Sequence, residues 1–174
     1  FLRAADDNPA DTQHPEESSS SSVPSPSDHA MGSQIKKHEH ETTVTNRVQS
    51  LTVDTEPEGM DVSSHDGNVD WPTKASSGMS FAWIKATEGP SYQNPFYASQ
   101  YNGSQSAGLI RGAYHFALPS NSSGQAQATY FSDHGGGWSG DGYTLPGVVD
   151  LQNNPYDENA CYGFSQTAMA TWSR

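Results

Sequence analysis

The chain has 174 residues and a formal net charge of −12, with 11 acidic against 4 basic residues up to Glu58 and 9 against 4 beyond it. A chain this acidic offers no cationic surface to phosphate, which excludes nucleic acid as a partner and gives no electrostatic help toward anionic lipid or anionic cell walls. No apolar run approaches the roughly 20 residues needed to cross a bilayer, and the hydrophobic content of 32% is low mainly because of the first third.

From Phe1 to about Glu58 there is little apolar periodicity. The serine run Ser18 to Ser22 and its flanking prolines cannot bury enough apolar surface to offset the entropy of ordering, so residues 1–58 read as a disordered acidic leader or linker. Met31 to His40 has the makings of one marginal helix and Val44 to Val53 of a short strand. His29, His38 and His40 read as histidines on a mobile polar segment rather than metal ligands, since no fixed geometry holds them. The sequence begins at Phe1 rather than Met, which reads as a processed or truncated product. The single cysteine, Cys161, has no internal partner; it fits a secreted protein with a missing partner or an inert cytosolic thiol, and composition leaves both open.

At Gly59 the character changes. Gly59 to Val62 predicts a short strand with an acid near its end, and Ser63 to Asn68 is turn material. Asp70-Trp71-Pro72 starts a helix with Asp70 as N-cap, and Gly78 stops it. Phe81 to Ala86 is a second strand leading into Thr87-Glu88-Gly89. A helix from about Asn94 to Ala107 follows, closed by Gly108. Leu109 to Phe116 is a third strand, Ser123 to about Asp133 a third helix, and Gly135-Gly136-Gly137 a flexible loop without the Gly-Lys-Ser context of a phosphate cradle. The stretch Leu145 to Pro155 then carries Val148, Val149 and Leu151 into a turn at Asn153 and Asn154, the pattern of a buried strand. Ser165 to Trp172 begins a fourth helix with Ser165 as its cap. Asn102-Gly103-Ser104 and Asn121-Ser122-Ser123 fit the glycosylation sequon, which matters only in a eukaryotic source.

Strand and helix thus alternate four times, the signature of βα units and a parallel sheet whose chemistry gathers at the C-terminal rim. The polar residues at those strand ends are Asp61, Lys85 with Glu88, Tyr114 with His115, and Asp150 with Gln152. A buried strand does not favour Asp or Lys, so their recurrence once per unit points to a site. Asp150 and Gln152 are two apart on one strand and therefore share a face, roughly 6.5 to 7 Å apart. Two carboxylates so placed would suit glycosidic bond cleavage, one protonating the leaving oxygen and the other stabilising or attacking the anomeric carbon. Here the second is an amide.

Gly59-Met60-Asp61-Val62-Ser63, Phe81 to Gly89 (Phe-Ala-Trp-Ile-Lys-Ala-Thr-Glu-Gly), Arg111-Gly112-Ala113-Tyr114-His115-Phe116 and Leu145-Pro146-Gly147-Val148-Val149-Asp150 together resemble the family 25 glycoside hydrolases, the Chalaropsis-type lysozymes. The four motifs fall in the family's order, and the resemblance runs from Gly59 to the end of the chain. It implies an α/β fold made of the N-terminal four βα units of a modified TIM-like βα barrel. The activity implied is an N-acetylmuramidase that cuts the β-1,4 bond between N-acetylmuramic acid and N-acetylglucosamine in peptidoglycan. Asp61 and Asp150 match two acids of the family's active centre, and Gln152 stands in the place of the glutamate that acts as general acid. In the family's usual scheme the substrate's acetamido group attacks the anomeric carbon, so Asp150 would steady the oxazolinium-like intermediate. Lys85, Glu88, Tyr92, Tyr114 and Phe116 would line the sugar cleft. The resemblance implies no cofactor and no metal, and a secreted monomer whose partner is the peptidoglycan glycan strand. Met31 to Glu39 resembles the leader of secreted bacterial members.

Three departures from the family pattern matter. Gln152 cannot supply a proton at neutral pH, which leaves a rival reading: a catalytically silent protein that binds cell-wall glycan through the same cleft. Asp157 and Glu158, past Pro155, are the alternative proton sources. His65-Asp66 stands where the family commonly has Trp-Gln, and His65 reads as a loop residue. Finally, the chain reads as truncated within the fourth helix, which would leave an open strand edge. Cys161 would then lack the second-half cysteine that the family pairs with it.

Overall fold

The structure, a computed structural model, describes Met31 and residues 56–174. The expected helix, strand and histidines of the leader lie outside the described residues, apart from Met31; of residues 1–58, read as disordered, residues 56–58 are also described, and Glu58 already belongs to the first strand, paired with Met79.

Four parallel strands stand side by side in the order β1 (Glu58–Val62), β2 (Met79–Glu88), β4 (Ile110–Phe116) and β5 (Val148–Asp150). A two-residue β3 (Tyr92–Gln93) folds back antiparallel onto the end of β2. Helices α1 (Trp71–Ser76), α2 (Tyr97–Ser106) and α3 (Gly124–Asp133) link the parallel strands, and α4 (Gln166–Trp172) follows β5. The alternation expected from the sequence is therefore present as a mixed α/β fold.

Local chemistry fixes the helix ends. Asp70 accepts the Thr73 N–H at 3.2 Å and Ser165 accepts the Ala168 N–H at 3.2 Å, so both expected caps are in place. Ser123 does the same for Ala126 at 3.2 Å. Each bond satisfies one of the amides that a helix start leaves without a partner.

The helices cover one face of the sheet. Val62, Ala82 and Ile84 from that face form a buried cluster with Trp71 and Leu109, each large apolar side chain contributing about 1.5–3 kcal/mol by leaving water. Trp71 lies so close to α2 that a Cβ at Gly103 would come within 2.6 Å of its ring. A second cluster joins Phe116, Leu118 and Tyr162.

Three elements differ from the sequence expectation. Helix α2 begins at Tyr97 rather than near Asn94, because the Asn94 side chain accepts the Phe96 N–H at 2.9 Å and so occupies the first turn. Strand β2 continues to Glu88, since the hairpin with β3 pairs Thr87 with Gln93 and Glu88 with Tyr92. The expected buried strand at Leu145–Leu151 shortens to Val148–Asp150, with Val149 61% and Leu151 39% exposed. Pro146 has no N–H to pair, and β5 ends the strand order, so its outer side has no neighbour among the described residues.

Candidate active site

The face of the sheet without helices carries the polar residues. Register places Asp61 beside Trp83, Lys85 beside Tyr114, and Glu88 beside Phe116, which in turn lies beside Asp150. Neighbours in register share a face. Lys85 and Glu88 are three residues apart and would face opposite sides of a regular strand. A register shift between Lys85 and Thr87 breaks the alternation, and this bulge turns both side chains to the same face, where they form a buried ion pair.

Asn94 holds the bulge. Its backbone N–H reaches the Ala86 carbonyl at 2.9 Å, and its side-chain amide donates to the Lys85 carbonyl at 2.8 Å and to Gln100 Oε1 at 2.9 Å. Gln100 continues the chain by donating to the carbonyls of Ser63 at 2.7 Å and Gly67 at 2.8 Å, which ties the loop after β1 to the end of β2. Asn94→Ala leaves the buried Lys85 carbonyl and Gln100 amide short of partners and is expected to cost about 1–3 kcal/mol in urea unfolding. Alanine at the exposed Asn102 is expected to change stability by less than about 0.5 kcal/mol.

Around the pair the site is aromatic. Lys85 Nζ lies 4.6 Å from the Phe116 ring centroid and 5.7 Å from that of Tyr92. The Tyr156 hydroxyl donates to the other Glu88 oxygen, and the Tyr92 hydroxyl donates to Ser64 Oγ at 2.9 Å. Burial pulls the Lys85 ammonium below its ordinary range, while Glu88 opposes that shift and Asp150 adds to the opposition. Burial raises the Tyr114 phenol, and the charges of Asp61 and Asp150 raise it further.

Gln152 Nε2 donates to Asp150 Oδ2 at 2.6 Å, and both residues are buried. The amide must turn its nitrogen to Asp150, because an ionised carboxylate only accepts. Burial pushes the Asp150 carboxyl up to about 6; Gln152 and Lys85 pull it down, and Asp61 and Glu88 push it up. A carboxyl raised on folding favours the folded state at low pH and loses that advantage as pH climbs from its unfolded value toward about 6. Asp150→Asn is thus expected to match the native protein in melting temperature near pH 4. It should exceed it at pH 8 by the equivalent of about 2 kcal/mol. Equal melting differences at both pH values would contradict this.

The expected site residues Asp61, Lys85, Glu88, Tyr92, Tyr114, Phe116, Asp150 and Gln152 thus come from the C-terminal ends of the strands and the hairpin beside them. His115 does not join them. It faces the helices, with Nδ1 2.8 Å from Thr87 Oγ1 and Nε2 3.0 Å from Gln127 Oε1, because strand alternation sends it opposite to Tyr114 and Phe116. His65 is exposed in a 3-10 turn, Ser64–Asp66. Asp157 and Glu158 are exposed, and Asp157 Oδ1 accepts the Asn159 N–H at 2.9 Å. Tyr156 is the residue the sequence reading missed. Its signal was the turn before it: the Asn154 side chain accepts the Tyr156 N–H at 3.0 Å and turns the chain back over Glu88. Among the described residues no group of three or more His, Cys, Asp or Glu is placed to hold a metal ion, and no helix is long and apolar enough to cross a membrane.

Helices thus cover one face of the parallel sheet, and carboxylates, a lysine and tyrosines gather at its strand ends on the other. Residues 60–174 match the model of Glycosyl hydrolases family 25, and the chain belongs to this family. It is 53% identical over 115 residues to Lysozyme M1 of Streptomyces globisporus, covering 66% of this chain and 39% of that protein. It is 50% identical over 118 residues to N,O-diacetylmuramidase of Chalaropsis sp, covering 66% of this chain and 56% of that one. Among solved structures, the bacterial lysozyme from Streptomyces coelicolor superposes with a TM-score of 0.65 at 52% identity, covering 68% of this chain and 55% of that one. The chain therefore spans 39 to 56% of the length of these relatives.

Proposed function

We propose that the whole protein is a muramidase-type lysozyme, or a descendant of one, that takes the β-1,4-linked glycan of peptidoglycan into the cleft at these strand ends. The observation that carries the reading is the convergence of Asp61, Asp150 and Gln152 with the Lys85–Glu88 pair on one rim, supported by membership of the family. Residues 59–174 are the N-terminal part of the catalytic domain, four βα units of a modified barrel, and residues 1–58 are a leader of a secreted protein. The domain works as a monomer and needs no cofactor.

In this reading the sugar's own acetamido group attacks the anomeric carbon, and the Asp150 carboxylate steadies the positive charge that develops on the resulting ring. Asp61 adds negative charge to the same region. Lys85, Glu88, Tyr92, Tyr114 and Phe116 line the cleft and orient the sugar rings. Gln152 offers the glycosidic oxygen a hydrogen bond but no proton. That residue favours the second reading, a glycan-binding protein without hydrolysis. The test is clearing of a suspension of Gram-positive cell walls by the whole protein as it stands and as Gln152→Glu. No clearing by either variant, together with no binding of wall fragments, would overturn both readings.

A further inference from the structure

Backbone pairing between β1 and β2 ends at Val62 and Ile84. The next residues are Ser63 and Lys85, and both strands carry site residues here: Asp61 lies just before Ser63, and Lys85 opens the bulge. Two buried amide side chains take over where the ladder stops. Asn94 is 2% and Gln100 1% exposed, and they bond to each other at 2.9 Å. Asn94 also donates to the Lys85 carbonyl at 2.8 Å, and Gln100 to the Ser63 and Gly67 carbonyls at 2.7 and 2.8 Å. An unbroken line of hydrogen bonds therefore joins the loop after β1 to the bulge in β2.

The line has no slack. A primary amide has two N–H donors, and both are used in each residue: Asn94 spends them on Lys85 and Gln100, and Gln100 on Ser63 and Gly67. The oxygens are engaged as well, Gln100 Oε1 by Asn94 and Asn94 Oδ1 by the Phe96 N–H at 2.9 Å. Each amide is held in one orientation, because its nitrogen must face carbonyls, which only accept. A fully satisfied buried network of this kind is rigid.

What it holds is the bulge. Pairing with β4 runs from Lys85 beside Tyr114 to Thr87 beside His115 and passes over Ala86, whose carbonyl accepts the Asn94 backbone N–H at 2.9 Å. Lys85 and Glu88 share a face only while this extra residue stays bulged. We propose that Gln100 is a positioning residue for the site. Through Asn94 it keeps the bulge that turns Lys85 and Glu88 to one face, and through Ser63 and Gly67 it keeps the loop after Asp61 in step with that bulge. The choice of a sugar as ligand rests on the proposed function; the positioning does not.

The test compares the whole protein with its Gln100→Met and Gln100→Ala variants. Leu109→Ala is the control, since it opens a cavity in the buried cluster before the start of β4 and removes no bond of these amides. Two readouts are taken well below the melting temperatures: chitooligosaccharide affinity, and the NMR titration of the Asp150 carboxyl. Burial sets that carboxyl at about 6, Gln152 and Lys85 hold it down, and Asp61 and Glu88 push it up. Lys85 is the residue whose carbonyl the network grips, so its ammonium is expected to draw away in both Gln100 variants and the Asp150 midpoint to rise. Oligosaccharide binding should weaken by about 2- to 30-fold, the range for a network residue that touches no ligand. Leu109→Ala should lower the melting temperature and leave both readouts native. A native Asp150 titration in the folded Gln100 variants would overturn the proposal, as would native affinity for an oligosaccharide that the unaltered protein binds, or the same changes in Leu109→Ala. Failure of both Gln100 variants to fold would assign the amide to the fold alone and overturn it too. If the unaltered protein binds no oligosaccharide while the Asp150 midpoint still moves, the positioning stands and the cleft reading falls.

Discussion

Replacing Gln152 with Glu in the whole protein is expected to speed the clearing of cell walls by about 10² to 10⁴-fold, the range a positioned general acid contributes. The geometry gives the reason. Gln152 places its amide nitrogen 2.6 Å from Asp150 Oδ2. A carboxyl in the same position would meet the Asp150 carboxylate at hydrogen-bond distance, and two carboxylates that close cannot both be ionised. One of them must keep a proton near neutral pH, and burial already pushes Asp150 alone up to about 6. The pair would therefore hold one proton for the leaving oxygen and one charge for the developing cation, as paired carboxylates in glycosidases do. Gln152→Ala separates this from mere loss of the amide: it removes the Asp150 partner without supplying an acid and should give no gain. Equal clearing by the native protein and the Gln152→Glu variant would mean that another group donates the proton, and Asp157 and Glu158 would have to move in from solvent to do so.

Much of this site was legible because it recurs once per βα unit. Asp61, Lys85, Tyr114 and Asp150 stand at the ends of short apolar runs, where Asp and Lys are out of place unless they serve a site. Asp70 and Ser165 could be read as caps from a polar residue preceding a helical pattern, and the structure places their bonds as expected. The bulge after Lys85 was not legible. Strand periodicity assumes that every residue alternates, and nothing in Lys-Ala-Thr-Glu announces a shift that depends on a partner strand and on Asn94 several residues later. His115 shows the same limit from the other side. As a polar residue at a strand end it looked like Tyr114, yet one step of alternation carries it to Thr87 and Gln127 behind the sheet. Tyr156 escaped because its place depends on the Asn154 turn, not on any strand pattern. The shortening of β5 reflects pairing: the run Val148, Val149 and Leu151 reads as buried, but Val149 and Leu151 stay exposed where no described element covers them.

Lys85→Met is expected to cost about 3–5 kcal/mol of stability, because it removes one member of a buried ion pair and leaves the other charge uncompensated. Lys85 is 2% and Glu88 7% exposed, and the pair is enclosed by Phe116, Tyr92 and Tyr156. The Tyr156 hydroxyl still donates to Glu88 in the variant, but one neutral donor does not replace an ammonium. Glu88→Gln added to Lys85→Met should recover most of the loss, since the amide carries no charge to strand and still accepts from Tyr156. Urea unfolding of the native protein, both single variants and the double variant forms a cycle whose coupling term isolates the pair. A coupling near zero would mean that water reaches the ammonium and the pair is not truly buried. The same double variant separates stability from function. Apolar or neutral groups commonly replace a buried ion pair at little cost to folding, so the expectation to test is that the pair serves the proposed cleft as well as the fold. The double variant should therefore fold nearly as well as the native protein yet bind wall fragments more weakly, because Lys85 and Glu88 are the charged groups that the sugar hydroxyls and amides would meet in the cleft. Native-like binding by that variant would assign the pair to structure alone and leave Asp61, Asp150 and Gln152 as the polar groups that recognise the glycan.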